Sequence, residues 1–291
     1  MRLGIIGGSG LYRMAAVEDP EFFIVDTPWG APSDKLLLGT ICGMPVAFLP
    51  RHGQGHRLSP GDINYRANIA ALKQAGCTDV LSISACGSFR ADLPPGTFVL
   101  PDQYIDRTRH RADSFFGDGI VAHIAFGEPA CARLRDLAAD ALGALGLAFQ
   151  HGGTYVVIEG PRFSTRAESI AFKQSGADVI GMTAMPEAVL AREAGLCYQT
   201  VAMVTDFDAW HDTEQMVDVT RILEVVRANV DAARMLVMEI AGRLAARPDS
   251  CSHGCRSALQ GAVMTDPAVW PSDVAARLAV IAPDIFNGTR A

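Results

Sequence analysis

The 291-residue sequence has little positive charge. It contains 25 Lys and Arg against 32 Asp and Glu, so the formal net charge is −7. It has no basic run, whereas a nucleic-acid surface needs clustered Lys and Arg to neutralise phosphates. The composition therefore argues against nucleic acid as a partner.

Long apolar runs are also missing. The apolar stretch before Gly7 and Gly8 is too short for a signal peptide or a membrane span. We therefore expect a cytoplasmic protein that does not bind membranes.

The seven cysteines are mostly scattered, as in reduced cytosolic proteins, and the spacing of cysteine and histidine supplies no closed zinc site. No metal or cofactor is expected.

Two cysteines lie close together, in Cys251-Ser-His253-Gly-Cys255. Three readings are open for this pair: a labile disulfide, part of a metal site, or two thiols on a flexible connector. The third is the ordinary outcome for such spacing, and the pair is left without an assigned role.

Short β-like runs alternate with helix-like segments over most of the chain. The predicted strands are 3–6, 46–49, 80–83, 98–100, 155–158, 179–182 and 200–204. The predicted helices are 65–75, 166–175, 186–194 and 219–240, and the first three end at a glycine suited to a helix C-cap. This alternation predicts an α/β fold with a mixed central β-sheet flanked by helices.

No Pro- or Ser-rich linker interrupts the pattern before about residue 247, so we predict a single domain over 1–246. Residues 247–291 are predicted to be a connector and a tail with moderate helical patterning. The tail is expected to pack on the body or on a neighbouring subunit.

Two carboxylates follow the apolar run 200–204. Asp206 and Asp208 are two residues apart, so both point to one side where the predicted strand leaves the sheet. Ligand sites of α/β sheets lie at such strand ends. Two nearby carboxylates cannot both ionise readily in a dry pocket, so one is expected to have a raised pKa and to hold a proton. Solvated acids in a turn are the structural alternative.

Other strand ends suit an anion. Gly7-Gly8-Ser9-Gly10 follows the first strand with backbone N–H groups and a hydroxyl, but it lacks the third glycine of a dinucleotide fingerprint. Arg51 and His52 follow a second strand, and the guanidinium is suited to phosphate. Ser84 to Ser88 and Gly181 to Thr183 add hydroxyls at two further strand ends.

Taken together, these segments resemble the 5′-methylthioadenosine phosphorylases, relatives of the trimeric purine nucleoside phosphorylases. The resemblance covers residues 3–246. Its motifs are Gly7-Gly8-Ser9-Gly10, Arg51-His52-Gly53, Asn64-Tyr65-Arg66-Ala67-Asn68, Ala85-Cys86-Gly87-Ser88, Glu159-Gly160-Pro161-Arg162-Phe163-Ser164, Gly181-Met182-Thr183 and Thr205-Asp206-Phe207-Asp208. It implies phosphorolysis of a 5′-methylthioribosyl purine, with inorganic phosphate as co-substrate, and a homotrimer or a hexamer of two trimers.

The resemblance also implies roles for individual residues. Phosphate would bind at Ser9, Arg51, His52, Ser84, Ala85 and Thr183. The ribose would lie over Met182, and the base would contact Phe163, Ser164, Asp206 and Asp208. The methylthio group would face His56 and Val219, together with His123 of an adjacent subunit. Ser9 and Ser84 replace the family's commoner threonine but keep the hydroxyl.

The chemistry of the two aspartates agrees with this assignment. A protonated carboxyl at N7 neutralises the charge that develops on the leaving purine, and Asp206 is the candidate general acid. Asp208 accepts a hydrogen bond from a 6-amino group, which favours adenine over a 6-oxo base.

Three alternatives stay open. The nearest is a phosphorylase of 6-oxopurine nucleosides or of methylthioinosine, against which the two aspartates argue. The others are a nucleoside- or nucleotide-binding protein without catalysis and a nicotinamide-dependent oxidoreductase, which leave Arg51, Thr183 and Asp206 unexplained.

Overall fold

The structure is a computed structural model that describes residues 1–8, 16–211, 219–246 and 251–287. Within 219–224 and 226–228 it describes the backbone alone. The described strands are β1 (Leu3–Gly7), β2 (Glu18–Phe23), β3 (Leu36–Ile41), β4 (Met44–Pro50), β5 (Asp79–Ser88), β6 (Phe98–Leu100), β7 (Gln103–Arg107), β8 (Phe149–His151), β9 (Thr154–Ile158), β10 (Val179–Gly181) and β11 (Cys197–Phe207). The described α-helices are α1 (Tyr65–Gln74), α2 (Ala132–Ala144), α3 (Arg166–Gln174), α4 (Ala184–Glu193), α5 (Val219–Ala246), α6 (Ser272–Leu278) and α7 (Pro283–Phe286).

One mixed sheet runs through the molecule in the order β2-β3-β4-β1-β5-β10-β9-β7, with β11, β6 and β8 attached beside β5. Strands β4, β1, β5 and β11 are parallel where they pair, whereas β10 pairs antiparallel with the end of β5. The expected mixed sheet with flanking helices is confirmed.

Alternate residues of the central strands supply two hydrophobic layers, because successive side chains of a strand point to opposite faces. Leu3 and Ile5 of β1 pack with α2 and α5 on one face, and Ile6 packs with α1 and α4 on the other. All seven predicted strands and all four predicted helices are present. Gly76, Gly176 and Gly195 have positive φ values after α1, α3 and α4, as their C-cap positions require.

The segment after α5 packs on the body of its own chain. Val274, Leu278 and Phe286 belong to the hydrophobic layer that contains α1 and α4, and Cys255 belongs to the opposite layer. Among the described residues, no helix has both the length and the apolarity to cross a membrane.

Candidate active site

A cavity of about 790 Å³ opens where β5 and β11 end. This volume is in the range of pockets that bind small organic ligands. The cavity brings together eleven of the residues singled out in the sequence: Arg51, His52, His56, Ser84, Ala85, Phe163, Ser164, Met182, Thr183, Asp206 and Asp208.

Three predicted site residues are not among the described lining of the cavity. Ser9 lies outside the described residues, and so does the side chain of Val219. His123 is exposed, and its backbone N–H donates to the Ala262 carbonyl at 2.9 Å. The cavity is therefore built without His123 from its own chain.

The two aspartates share a wall of the cavity, as their spacing predicts. A methyl group at Gly87 would lie 3.2 Å from Asp206 Oδ2 and 3.3 Å from the Cβ atom of Asp208, so both side chains pack against this glycine of β5. The backbone register shifts between Val204 and Asp206, where β11 bulges beside β5. Thr205 Oγ1 donates to Asp206 Oδ1 at 2.8 Å, which fixes the orientation of that carboxyl.

Asp208 is the more buried of the two carboxyls, with 3% exposure. Burial raises its pKa above the ordinary aspartate value, an effect opposed by the nearby Ser169 hydroxyl and strengthened by the charge of Glu168. Within the described part of the chain, no group has the distance and angle of a hydrogen bond to its Oδ2 atom or to the hydroxyls of Ser164 and Ser169. A buried oxygen without a protein partner in a cavity is an acceptor available to a ligand.

Arg51 is held by a buried acid that the sequence did not single out. Its Nε donates to Glu187 Oε1 at 2.6 Å, and both side chains are about 1% exposed. Nη2 donates to Ser82 Oγ at 2.6 Å and to Glu187 Oε2 at 3.3 Å, and Nη1 donates to the Ile83 carbonyl at 3.0 Å. Burial alone lowers the pKa of Arg51, but the attraction of Glu187 outweighs it, so the pKa is raised and the guanidinium stays charged.

This network uses four of the five N–H groups of Arg51. The second N–H of Nη1 has no acceptor within the described residues, so a single donor is left for an anion. The fork of Arg51 is occupied by Glu187 and Ser82, so Arg51 offers an anion one N–H group rather than a bidentate pair.

His52 is neutral at physiological pH. Burial and the charge of Arg51 lower its pKa to about 4. Its Nδ1 lies 2.9 Å from the Leu58 carbonyl oxygen, which can only accept, so Nδ1 carries the proton and Nε2 carries the lone pair. The ring stacks on His56 with a centroid separation of 4.1 Å. His52 thus offers Nε2 to a hydroxyl proton of a ligand.

Two hydroxyls complete the polar side of the cavity. Thr183 precedes α4 and is 5% exposed, and its side chain makes no capping hydrogen bond to that helix. Ser84 Oγ lies 3.5 Å from the phenol oxygen of Tyr155. A methyl group at Gly181 would lie 1.8 Å from that phenol oxygen, so Tyr155 approaches as closely as it does only because residue 181 is glycine.

Arg111 positions the backbone that carries Met182. It is nearly fully buried, and it donates to the carbonyls of Met182 at 2.7 Å and Met185 at 2.6 Å, while its Nε pairs with Glu159 Oε1 at 3.0 Å. A methyl group at Gly160 would lie 2.6 Å from the Met182 sulfur. The Met182 side chain is thus packed against Gly160 at the edge of the cavity.

Sequence reasoning missed Glu187, Arg111 and Tyr155. Arg111 carried no usable signal, because its partners, the Glu159 carboxylate and backbone carbonyls, lie in segments far from it in the sequence. Glu187 carried one: it lies between apolar and small residues in the first half of α4, and a fully buried acid requires a partner.

The fold and the cavity agree with the class that comparison with known proteins defines. A family model described as "Phosphorylase superfamily" matches residues 2–241. The chain is 51% identical to the S-methyl-5′-thioadenosine phosphorylase of Cereibacter sphaeroides over 286 residues, which cover 98% of this chain and 99% of the relative. The corresponding protein of Geobacter sulfurreducens is 47% identical, with 96% and 97% covered.

Solved structures give the same result. A methylthioadenosine phosphorylase from an antarctic soil metagenomic library superposes with a TM-score of 0.91 at 44% identity, covering 96% of this chain and 98% of the other. A mutant adenosine/methylthioadenosine phosphorylase of Schistosoma mansoni, in complex with methylthioadenosine, gives 0.83 at 36% identity, covering 90% and 99%. The chain belongs to the S-methyl-5′-thioadenosine phosphorylase family within the phosphorylase superfamily.

Proposed function

We propose that the cavity catalyses phosphorolysis of S-methyl-5′-thioadenosine to adenine and 5-methylthioribose 1-phosphate. The observation that carries the proposal is the placement of two aspartates against Gly87 in a cavity that also contains the guanidinium of Arg51 and the hydroxyls of Ser84 and Thr183. The names of relatives that cover nearly the whole chain support this choice of substrate.

In the proposed reaction, phosphate binds among Arg51, His52, Ser84, Ala85 and Thr183. The hydroxyls and one N–H of Arg51 donate to its oxygens, and Nε2 of neutral His52 accepts from a protonated phosphate oxygen. These contacts hold the attacking oxygen in line with the anomeric carbon, so attack becomes an intramolecular step. The phosphate charge also stabilises the ribosyl cation as the glycosidic bond breaks.

Asp206 acts as general acid at N7 of the departing purine. Proton donation there removes the negative charge that the base would otherwise carry, and such catalysis contributes about 10²- to 10⁴-fold to rate. Asp208 accepts from the 6-amino group through the oxygen that has no partner within the described residues. A 6-oxo base would instead direct a lone pair at an ionised Asp208.

The remaining assignments follow the same arrangement. Phe163 and Ser164 contact the base, Met182 packs on the ribose, and His56 and Val219 face the methylthio group. His123 of a neighbouring copy completes the pocket in a homotrimer. His123 is exposed in its own chain, as a contact with a neighbour requires. Inorganic phosphate is the co-substrate, and no further cofactor takes part.

A substrate panel tests the proposal. Purified protein is incubated with methylthioadenosine, methylthioinosine or adenosine, with and without phosphate, and release of the free base is followed by chromatography. We expect base release that requires phosphate and has its highest kcat/KM with methylthioadenosine. A preference for methylthioinosine would overturn the role of Asp208, and base release that is independent of phosphate would overturn phosphorolysis.

A further inference from the structure

Four cysteines from distant parts of the chain meet at the amino end of β11. We call them the thiol cluster: Cys131, Cys197, Cys251 and Cys255. Their Sγ atoms all lie within 4.8 Å of one another. Three of the four side chains are buried, and Cys251 is half-buried.

The cluster gathers at the amino end of β11. Cys197 is the first residue of that strand, and Cys131 immediately precedes α2. Cys251 and Cys255 come from the segment after α5. Asp206, at the far end of β11, is about 30 Å away along the strand at roughly 3.3 Å per residue. The cluster is therefore separate from the candidate active site.

The geometry suits one tetrahedral ion better than sulfur pairs. Zinc–thiolate bonds of about 2.3 Å place the four sulfurs of a tetrahedron about 3.8 Å apart. The Sγ atoms of Cys131 and Cys251 are 3.8 Å apart. A disulfide needs about 2.05 Å between two sulfurs, and pairing gives no reason for four sulfurs to be mutual neighbours.

The surroundings hold the four ligands in place. Asp79, fully buried beside Cys197 in the sheet, pairs with Arg133 and Arg256, which follow Cys131 and Cys255 in the chain. One carboxylate thus ties together the two segments that bring cysteines to β11. Cys131 also lies at the N-terminus of the 13-residue helix α2, which fixes the position of its backbone.

We propose that the thiol cluster binds one zinc ion as a closed tetrathiolate site and so fastens the segment after α5 to the amino end of β11. A four-cysteine set with no position left for water is typical of structural zinc, and the Cys-x3-Cys spacing of residues 251 and 255 is one that such sites use. Binding releases the thiol protons to solvent, and no oxidant is needed.

Metal analysis of the whole protein, purified without chelators, tests the proposal. We expect one zinc per chain, retained by the matched control Cys42→Ser, which changes an exposed cysteine outside the cluster. Cys251→Ser is expected to lower zinc content roughly tenfold or more, because one of four ligands is lost. Cys251→His is expected to restore it, since zinc also accepts a Cys3His set.

Thiol counting separates zinc from disulfides and is independent of catalysis. After unfolding with a chelator and no reductant, we expect all seven cysteines to titrate as free thiols. Three titrating thiols and no metal would mean two disulfides in the cluster and would overturn the proposal. Seven thiols without metal, or iron in place of zinc, would overturn it as well.

The thermal stability and the activity of Cys251→Ser test whether the metal site is structural and separate from the active site. Cys251→Ser is expected to lower the thermal midpoint by several degrees, as loss of a structural metal does, while phosphorolysis at 25 °C changes less than about twofold. An unchanged midpoint in a variant that has lost zinc would overturn the fastening role.

Discussion

A buried aspartate lies near each end of β11, and the two aspartates differ in their hydrogen-bond and ion-pair partners. Asp79 lies beside Cys197 at the amino end, is 0% exposed, and pairs with Arg133 and Arg256. Asp208 follows the carboxyl end, is 3% exposed, and has an oxygen without a protein partner within the described residues.

This difference in partners distinguishes an aspartate with a structural role from an aspartate that can bind a ligand. Burying a carboxylate is unfavourable unless it is paired, so a paired aspartate is explained by the fold itself. A buried carboxylate oxygen that has no partner among the described residues, as in Asp208, is available to a molecule that binds in the cavity. Partners, rather than burial, therefore distinguish a carboxylate that the fold requires, such as Asp79, from one that is available to a ligand, such as Asp208.

The largest effect is expected at Asp206. Asp206→Ala removes the proposed general acid, so kcat for methylthioadenosine should fall about 10²- to 10⁴-fold. The matched control is Asp231→Ala, which removes another carboxylate from the cavity lining and should change kcat by less than about fivefold. Equal losses in both variants would mean that Asp206 contributes only charge.

Glu187 tests whether partners matter more than position, because it is a paired acid at the catalytic end. Glu187→Gln leaves Arg51 charged and buried without its counter-ion, so the free energy of unfolding should fall by about 3 kcal/mol. The half-exposed pair of Glu239 and Arg243 supplies the control, and Glu239→Gln should cost less than about 0.5 kcal/mol. Denaturant unfolding measures both, and similar values would refute the distinction.

Glu193 is a buried acid with hydrogen-bond donors but no cation within the described residues. The hydroxyl of Ser114 and the N–H of Phe115 each donate to it at 2.7 Å, yet burial raises its pKa to about 7. Because this folded-state pKa lies above the unfolded value of 4.5, protonated Glu193 favours folding at low pH. That contribution is lost as the pH rises from about 5 through 7.

Glu193→Gln should therefore gain stability relative to the wild type as the pH rises, by on the order of 2 kcal/mol at pH 8. Glutamine keeps an acceptor for the Phe115 N–H, so the variant should match the wild type near pH 5. Unfolding at the two pH values measures the difference, and an equal difference at both would contradict the assigned titration.

The smallest effect is expected at Asp208. Asp208→Asn replaces an acceptor with a group that both donates and accepts, so it should reduce the preference for 6-amino over 6-oxo substrates roughly tenfold. The ratio of kcat/KM for methylthioadenosine and methylthioinosine reports this directly. Asp62→Asn, an exposed aspartate outside the cavity lining, is the control and should leave the ratio unchanged.

Much of the fold was predictable because short sequence patterns determine where its strands and helices begin and end. Apolar runs and C-cap glycines identified the central strands and the helices that cover them. Strand β2 was missed because all its residues are exposed and it contains Pro20, so it has no alternating pattern. Helix α2 was missed because its buried residues are partly small alanines and its N-cap is Cys131 rather than a Ser, Thr, Asp or Asn.

The functional residues differ in the same way: those in short local motifs could be predicted from the sequence, and those that depend on long-range contacts could not. Strand-end motifs of a few residues pointed to Asp206, Arg51 and Thr183, which the cavity brings together. The buried partner of Arg51 and the thiol cluster depend on contacts between segments far apart in sequence. Only the fold brings Glu187 to Arg51. Likewise, only the fold brings Cys131 and the two cysteines of the segment after α5 to Cys197 at the start of β11.

The identity of the sugar product distinguishes attack by phosphate from attack by water. Methylthioadenosine and phosphate are incubated with the protein, and ³¹P NMR follows the phosphate while adenine is quantified in the same sample. We expect one equivalent of 5-methylthioribose 1-phosphate for each adenine released. Release of adenine with free methylthioribose and unconsumed phosphate would show that water attacks instead, and would contradict a phosphate site at the carboxyl end of the sheet.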